Sequence, residues 1–487
     1  MSFVRSSKFR HVFGNNTKAD GCYTGFKPDG TGDSNCAVSR KFLAFIKNSK
    51  IFVIGLDKTG RHEENNMHYI DCKNKVLDVA WSPFHDNVLA SCEESGHVNI
   101  WTIPEDGLED VMSEPSYHFS KQTKKVTFIQ WHPTAEYILA VGGFDSFISI
   151  LDIGPDCDSM DSFIDIPVGE NPTNMAWNYD GSLIAITTKI DRKMALQIVN
   201  PRTGEVLQTN EQCHLGTKPT KVVFMKGGAI ITVGVDKNAN RSIVLWDKKD
   251  ITKEVDEISI GSGSANPVPY LDLELNVLFT YAKGESVVKY YEIENEKKFY
   301  FLAAHPATSS QKGGSFIPKY AVDPKLNEIA RFYKLHADKC EPISFIVPRK
   351  SETFQKDIYP ECSSSEPAMS SQEWVNGKNH SPLKHDFQTV YDGSQCQTQK
   401  KDVRPMRKAL PKRDAGGAGE NTEKTRNAPS YHHQQQANNG IPEGIDFPEL
   451  LEDMKKVKAT VRKLNKRVNK LEEQLKKAGI IPEEEEE

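Results

Sequence analysis

The sequence predicts an all-β fold, a seven-bladed WD-repeat propeller, joined by a linker to a C-terminal α-helical coiled coil. Three observations support this prediction. Short apolar strands recur between about residues 40 and 350, tryptophan anchors recur within them, and a heptad repeat begins near Phe447. Four short strands repeating every roughly 40 to 50 residues are typical of propeller blades, because one such sheet cannot bury both of its faces alone.

The blades align on three tryptophans, each followed by a turn and an apolar strand. The anchors Trp81-Ser-Pro, Trp131-His-Pro and Trp177-Asn-Tyr-Asp-Gly step by 50 and then 46 positions. Only Trp246-Asp247 is a literal Trp-Asp dipeptide. A span of about 310 to 320 residues at about 45 per blade predicts close to seven blades. A blade shared between the two ends of the propeller would close the ring.

Composition and charge exclude several classes of protein. The 487 residues include 37% hydrophobic and 26% charged side chains, and the formal net charge is -5. This balance argues against a surface committed to nucleic acid. The nine cysteines are scattered without a Cys-x-x-Cys pair, and no apolar run reaches the length of about 18 residues that spans a membrane. We therefore expect a soluble cytoplasmic protein with reduced thiols.

Composition also divides the chain into four segments. Residues 1–361 are predicted to form the propeller with a C-terminal extension packed on it. Residues 362–446 are rich in Ser, Gln, Asn, Lys, Pro and Gly, which predicts a variable, disordered linker. Residues 447–478 are predicted to form the coiled coil, and residues 479–487 an acidic tail.

The C-terminal segment carries one narrow apolar stripe. Its apolar residues alternate spacings of 3 and 4, which is a heptad repeat. They are Phe447, Leu450, Met454, Val457, Val461, Leu464, Val468, Leu471 and Leu475. So few apolar side chains do not stabilise an isolated helix of roughly 30 residues. A strict stripe of two residues in seven favours self-association over the alternative, a helix packed on its own propeller.

The number of strands in the coil stays open. Valine at position a with leucine at d favours a two-stranded parallel coil. Arg467 at g and Glu472 at the next e are placed for an interchain salt bridge, and the string from Arg467 to Glu472 resembles the trimerisation motif of short coiled coils. We favour a parallel trimer, with a dimer or tetramer as alternatives. The expected oligomer interface comprises Val461, Leu464, Arg467, Val468, Leu471, Glu472 and Leu475.

Three stretches of the sequence resemble the coronin family. They are Ser7-Lys-Phe-Arg-His-Val-Phe-Gly14, residues 278–293 and residues 328–360. The coiled coil stands where the family has one, whereas the linker resembles nothing in particular. The resemblance implies a propeller that binds filamentous actin and a coil that assembles propellers to bundle or crosslink filaments. It also implies a cytoplasmic location, at the actin cytoskeleton and cell cortex, and a role in regulating actin dynamics and cell motility.

The resemblance further implies which basic residues face the filament. The family presents a cation a few residues after the Cys-Tyr pair of the first blade, and Cys22-Tyr23 leads here to Lys27. Lys283, Arg349 and Lys350 match other charged positions of the family. The actin surface is acidic, so clustered cations would steer encounter and fix register. Many relatives carry arginine where this chain has Lys27, and lysine keeps the charge without the planar fork.

Other partners and other functions are alternatives. The basic C-terminal helix fits a solvated coil, an acidic filament or an anionic membrane surface, and in the family this region is also linked to the branched-actin nucleation complex. Neither Gly261-Ser-Gly-Ser264 nor Lys283-Gly-Glu is a phosphate loop, and the histidines lack metal-ligand spacing. We expect no catalytic residue, metal or cofactor. A generic adaptor propeller with a partner other than actin is the competing hypothesis.

Overall fold

Seven sheets, antiparallel except for one parallel strand pair in the seventh, surround a central channel in the computed structural model, which describes residues 5–155 and 162–393. Six of these sheets have four strands each, and the seventh has six. Within each four-stranded sheet, strands adjacent in sequence are paired in space. The prediction of a seven-bladed propeller is therefore confirmed.

Among the first three blades, blades 2 and 3 each have a tryptophan anchor in the innermost strand, Trp81 and Trp131. Their strands are given from the channel outward. Blade 1 comprises Cys36–Val38, Phe42–Lys47, Lys50–Gly55 and Tyr69–Asp71. Blade 2 comprises Val76–Trp81, Val88–Glu93, Val98–Thr102 and Tyr117–Phe119. Blade 3 comprises Val126–Trp131, Ile138–Gly143, Phe147–Asp152 and Ile164–Pro167.

The next three blades have longer outer strands. Blade 4 comprises Glu170–Trp177, Ile184–Ile190, Lys193–Val199 and Val206–His214. Blade 5 comprises Lys221–Phe224, Ile230–Val235, Asn240–Trp246 and Glu254–Ser262. Blade 6 comprises Pro267–Asp272, Val277–Ala282, Val287–Glu294 and Lys298–Pro306.

The seventh blade is built from both ends of the propeller. Its inner strands are Gly313–Phe316, Glu328–Leu335 and Lys339–Ile346. The N-terminal strands Phe13–Asn16 and Tyr23–Thr24 both pair with the last of these, and Gly60–Arg61 extends the edge. The ring cannot open without breaking this sheet, and the predicted shared blade is confirmed.

Each tryptophan anchor ties its blade to the preceding one. Trp81 Nε1 donates to the carbonyl oxygen of Ala37 at 3.1 Å. Trp131 Nε1 donates to Ala80 at 3.0 Å, and Trp177 Nε1 donates to Gln130 at 3.3 Å. A buried indole packs through its rings and needs one acceptor for its N–H. The sequence period is therefore the period of these hydrogen bonds between blades.

The single Trp-Asp dipeptide marks a buried hydrogen-bond network between blades 4 and 5. Trp246 Nε1 donates to Thr232 Oγ1 at 2.8 Å, and His214 Nε2 lies 2.9 Å from the same oxygen. Burial lowers the pKa of His214 to about 4, so its imidazole is neutral. Blade 2 repeats part of this network, since Trp101 Nε1 donates to Ser91 Oγ at 2.9 Å. The two tryptophan hydrogen bonds join strands within a blade, whereas the contact of His214 with Thr232 joins blade 4 to blade 5.

Short segments connect and extend the blades. The connections hold the 3₁₀ helices Ala19–Gly21, Glu64–Asn66, Lys319–Ala321 and Pro324–Leu326. After blade 7 the chain forms the strand pair Cys362–Ser363 with Lys384–His385 and the helices Ser371–Val375 and Phe387–Tyr391. We call residues 347–393 the extension. No helix in the described ranges is long and apolar enough to cross a membrane.

The extension is packed beyond the predicted boundary at residue 361. Trp374 is fully buried, its Nε1 donates to the carbonyl oxygen of Gly181 at 3.2 Å, and the Arg202 guanidinium lies 4.5 Å from its ring centroid. Met369 and Phe387 are also buried. The prediction of a disordered linker is therefore wrong for residues 362–393, because widely spaced apolar side chains pack this segment against the propeller. The expected coiled coil, the acidic tail and the linker from residue 394 lie outside the described residues.

Candidate binding face of the propeller

The two faces of the propeller differ in what covers them. The extension contacts one of them, which we call the extension face: Met369 pairs with Ala135 and Lys384 lies 4.0 Å from Glu274, both in turns between first and second strands. The opposite face, which we call the Lys27 face, carries residues 25–35 and 283–286. The two faces are about 20 Å apart, taking roughly six residues of strand at about 3.3 Å each. Among the described segments, the Lys27 face is the more open to a partner.

Lys27 lies in the loop of residues 25–35, which links blade 7 to blade 1. Phe26 is buried and stacks on Phe45 with ring centroids 4.2 Å apart, and Pro28 is buried as well. Because successive side chains of an extended chain point to opposite sides, Lys27 between them is exposed. Local packing therefore presents the Lys27 ammonium to solvent.

The backbone around Lys27 is pinned by a neighbouring carboxylate. The Lys27 N–H donates to Glu64 Oε2 at 2.9 Å, and Lys47 forms an ion pair with the same carboxylate. Burial alone would raise the pKa of Glu64, but the hydrogen bonds from Lys47 and from the Lys27 N–H outweigh it and lower that pKa. Glu64 is thus ionised at neutral pH, and it fixes the loop while the Lys27 side chain stays exposed.

The loop begins at a position that only glycine fits. Gly25 has a φ of +91°, and a Cβ added there would lie 2.0 Å from the carbonyl oxygen of His62. Glycine adopts this backbone region without the steric cost that other residues meet. Gly25 therefore directs the chain from strand Tyr23–Thr24, which holds the Cys-Tyr pair, toward Lys27.

Lys283 lies under the loop rather than on an exposed surface. Its Nζ donates to the carbonyl oxygens of Gly30 at 2.8 Å and Gly32 at 3.2 Å. The side chain is half-buried, and burial lowers the pKa of Lys283. The structure therefore brings Lys27 and Lys283 to one face, but it gives Lys283 a contact with the loop of Lys27.

Further contacts hold this loop over the channel. Asp33 forms a salt bridge with Lys221 of blade 5 at 2.8 Å. Asn35 Nδ2 donates to the carbonyl oxygen of Lys312 at 2.7 Å. Together with Lys283, these contacts anchor one loop to blade 5, to blade 6 and to the link that leads into blade 7.

Arg349 and Lys350 lie on the extension face. They follow strand Lys339–Ile346 at its C-terminal end, whereas Thr24 pairs with Lys339 at the other end. Arg349 is ion-paired with Asp357, and Lys350 is exposed. The four basic residues expected to bind a partner are thus divided between opposite faces.

Several exposed cations of the Lys27 face escaped the sequence analysis. They lie in links between blades or in turns between second and third strands, which fall on this face in an antiparallel blade. They are Lys73, Lys124, Arg192, Lys193, Lys237 and Lys312. Their positions in the four-stranded repeat, in or beside the blade links and the turns between second and third strands, would have identified them from the sequence. Exposed carboxylates such as Glu94 and Asp191 lie among them, so the face is not uniformly basic.

Comparisons with known proteins match this architecture. Family models match a domain of unknown function at residues 2–61, a WD domain (G-beta repeat) at residues 66–102 and a type of WD40 repeat at residues 340–382. The crystal structure of the WD40 domain from Toxoplasma gondii coronin has a TM-score of 0.71 at 28% identity, covering 77% of this chain and 97% of that chain. The resemblance at both ends of the propeller thus extends to a solved structure.

Curated relatives are similar over most of the chain. Coronin-2A of Bos taurus is 34% identical over 395 residues, covering 78% of this chain and 74% of the relative. Coronin-2A of Homo sapiens is 33% identical with the same coverage. Relatives that are 33% and 34% identical and aligned over 74% of their own length show the family, and the chain belongs to the coronin family.

Proposed function

We propose that this chain binds actin filaments through the Lys27 face of its propeller. The observation that carries the proposal is membership of the coronin family, whose resemblance led to the expectation of filament binding. The exposed Lys27 on a pinned loop supports it, because a preorganised cation loses little freedom on meeting an acidic surface. The role is binding rather than catalysis.

The four basic residues then take different roles. Lys27 contacts the filament, and Lys283 supports it by holding the loop of residues 25–35. Arg349 and Lys350 lie on the extension face, away from Lys27. They contact the filament only if it extends around the propeller edge or if a second actin subunit binds there. Each of these roles is part of the proposal.

We propose further that residues 447–478 assemble several propellers, with a parallel trimer favoured. Assembly through this segment would let one particle hold several filaments and so bundle or crosslink them. The basic helix is also the proposed contact for the branched-actin nucleation complex and for anionic membrane surfaces. The proposed place of action is the cytoplasm, at the actin cytoskeleton and cell cortex.

Co-sedimentation with filamentous actin tests the proposal. The full chain and residues 1–393 are both expected to pellet with filaments at moderate salt. If neither pellets, filament binding is wrong, and the chain is better described as an adaptor propeller with another partner.

Reversing the charge of Lys27 tests whether the filament binds to the Lys27 face. Lys27→Glu is expected to abolish most pelleting, because it places a carboxylate against an acidic surface. The matched control is Lys249→Glu, which makes the same charge change at an exposed turn on the extension face. Pelleting that is unchanged by Lys27→Glu, or equally reduced by the control, would move the binding site elsewhere.

A further inference from the structure

The central channel contains a cavity of about 840 Å³, and Lys27, the proposed filament contact, is not among the residues that line it. This volume is within the range of roughly 300 to 1,000 Å³ that small-molecule sites occupy. The innermost strands of blades 2 to 6 line the cavity, and residues 31–34 lie at its Lys27-face end. It is therefore a concave site inside the channel, bordered at its Lys27-face end by the loop of residues 25–35 and reaching the extension-face turns at Pro133 and Leu273.

Four lysines surround the mouth of this cavity. We call them the mouth lysines, and they are Lys75, Lys125, Lys189 and Lys221. They come from four successive blades, and each lies where a strand meets the Lys27 face. All four are partly buried rather than fully exposed, so their side chains are held near the cavity wall and less freedom is lost when an anionic partner binds.

The mouth lysines are only partly neutralised. Lys221 pairs with Asp33 at 2.8 Å, and the Lys125 ammonium lies 4.0 Å from the centroid of the Phe144 ring. Within the described ranges, Lys75 and Lys189 form no salt bridge. Asp33 thus shows that an acid group fits against this ring of amines, and most of the ring has no such group.

Three carboxylates line the same cavity and oppose the binding of an anion. Asp78 and Glu94 line it together with Asp33. Burial raises the pKa of Asp78 to about 7, against the lowering effect of Lys221, so part of this charge is absent near neutral pH. Glu94 is exposed at the rim, where water screens its repulsion.

We propose that the mouth lysines bind an oligophosphate, a small anion with two or more linked phosphate groups. Lysine binds phosphate as a point charge. Linked phosphate groups can contact amines from several blades at once, and each further contact is then intramolecular and costs less translational freedom. A recessed cavity admits such a chain, whereas a flat protein surface would not reach the ammonium groups. The site is separate from the proposed filament contact at Lys27.

Isothermal titration calorimetry of the full chain tests this site. Inorganic tripolyphosphate is expected to bind more tightly than pyrophosphate, and pyrophosphate more tightly than phosphate. The double variant Lys75→Gln/Lys189→Gln is expected to weaken tripolyphosphate at least tenfold. Its control, Lys237→Gln/Lys249→Gln, removes the same charge outside the cavity and is expected to change affinity little.

Three results would overturn the site. These are no heat of binding with the unchanged chain, equal weakening by both double variants, and equal affinity for all three anions. Because the double variant could fail to fold, the single variant Glu94→Gln, at an exposed position of the cavity rim, provides a second measurement. It is expected to tighten tripolyphosphate about twofold, the size of one screened surface charge, and no tightening would count against the site.

Adenosine triphosphate separates two sources of the oligophosphate. Tighter binding of the nucleotide than of tripolyphosphate assigns the site to nucleotides, and the reverse assigns it to inorganic chains. Either result supports the site when Lys75→Gln/Lys189→Gln weakens it, and an unweakened nucleotide signal contradicts it. Filament pelleting of the same variant, measured separately, reports on the proposed function alone.

Discussion

At the scale of single residues, the environment of Lys27 can be predicted from its neighbours in sequence, whereas that of Lys283 cannot. Lys27 follows a recognisable Cys-Tyr pair, and the burial of its neighbours Phe26 and Pro28 is local, so its exposure follows from nearby residues. Lys283 meets Gly30 across 253 positions of sequence. No local pattern contains such a contact, and only the ring closure of the propeller creates it.

Removing the Lys283 ammonium is expected to loosen the loop of residues 25–35. Lys283→Met keeps the apolar stem but deletes the donors to Gly30 and Gly32. A hydrogen bond from a charged group contributes about 1.5–3 kcal/mol, so we expect faster hydrogen exchange at residues 29–35. Filament pelleting should weaken less than with Lys27→Glu, because the contact residue is still present.

The control for Lys283→Met is Lys312→Met, which removes an exposed charge from the same face. It is expected to leave exchange at residues 29–35 unchanged, since Asn35 contacts only the backbone oxygen of Lys312. If both variants exchange like the unchanged chain, the loop does not depend on Lys283. In that case a direct contact with the filament would be the better account of Lys283.

Asp78 gives the propeller a pH-dependent stability. Burial raises its pKa from 3.8 to about 7. The folded chain therefore binds a proton that the unfolded chain has lost, and stability falls as pH rises from about 4 to about 7. Above that range the folded state bears the full cost of an ionised carboxylate, at most about 4 kcal/mol.

Asp78→Asn is expected to remove this cost. At about pH 8 the variant should unfold at a higher temperature than the unchanged chain, and at about pH 5 the two should nearly coincide. The amide retains an acceptor for one of the N–H groups that Asp78 binds, those of Val79 and Ile129. Thermal unfolding followed by circular dichroism at both pH values checks this, and an equal shift at both would contradict it.

At the scale of elements, the sequence predicted the blades for a specific physical reason. The tryptophans of blades 2 to 4 donate hydrogen bonds to the preceding blade, and a contact that repeats in space repeats in sequence. Blade 7 lacks such an anchor and was only weakly marked. The expectation of a blade shared between the two ends came instead from the need to close a ring, and the structure shows that the N-terminus supplies its outer strands.

The extension could not be predicted beyond residue 361 because its anchors are sparse. Residues 362–393 are mostly small or polar, and only widely spaced side chains such as Met369, Trp374 and Phe387 are buried. A pattern this thin has no helical or strand period. Its packing depends on pockets that the turns of blades 3 and 4 provide, which are remote in sequence.

Truncation of Trp374 is expected to release the extension. The ring packs against His132 and Trp177 at centroid distances of 5.3 Å and 6.0 Å. Trp374→Ala should lower the free energy of unfolding by about 3–5 kcal/mol and expose residues 362–393 to limited proteolysis. Trp374→Phe keeps most packing and loses the bond to Gly181, so it should cost less.

Urea unfolding with mass mapping of the proteolytic fragments measures both effects. Cleavage confined to the extension, with the propeller intact, would show that the segment unfolds separately. A Trp374→Ala variant with the unfolding midpoint and cleavage pattern of the unchanged chain would mean that the extension does not depend on this side chain.

At the scale of the whole molecule, bundling requires one particle to hold two filaments. Two routes satisfy this requirement. Either several propellers are joined through residues 447–478, or one propeller binds through both faces, with Lys27 on one and Arg349 and Lys350 on the other. The heptad repeat favours the first route, and the division of basic residues between the faces makes the second one testable.

Removing residues 447–487 distinguishes the two routes. The remaining chain is expected to be a monomer by light scattering, to pellet with filaments at high speed and to form no bundles that pellet at low speed. Leu464→Glu in the full chain should do the same, because a carboxylate at position d faces the seam. Asn469→Glu adds the same charge at position b and should leave oligomers and bundles intact. A truncated chain that is still oligomeric would contradict the coiled coil, whereas a monomer that still bundles would show that one propeller binds filaments through both faces.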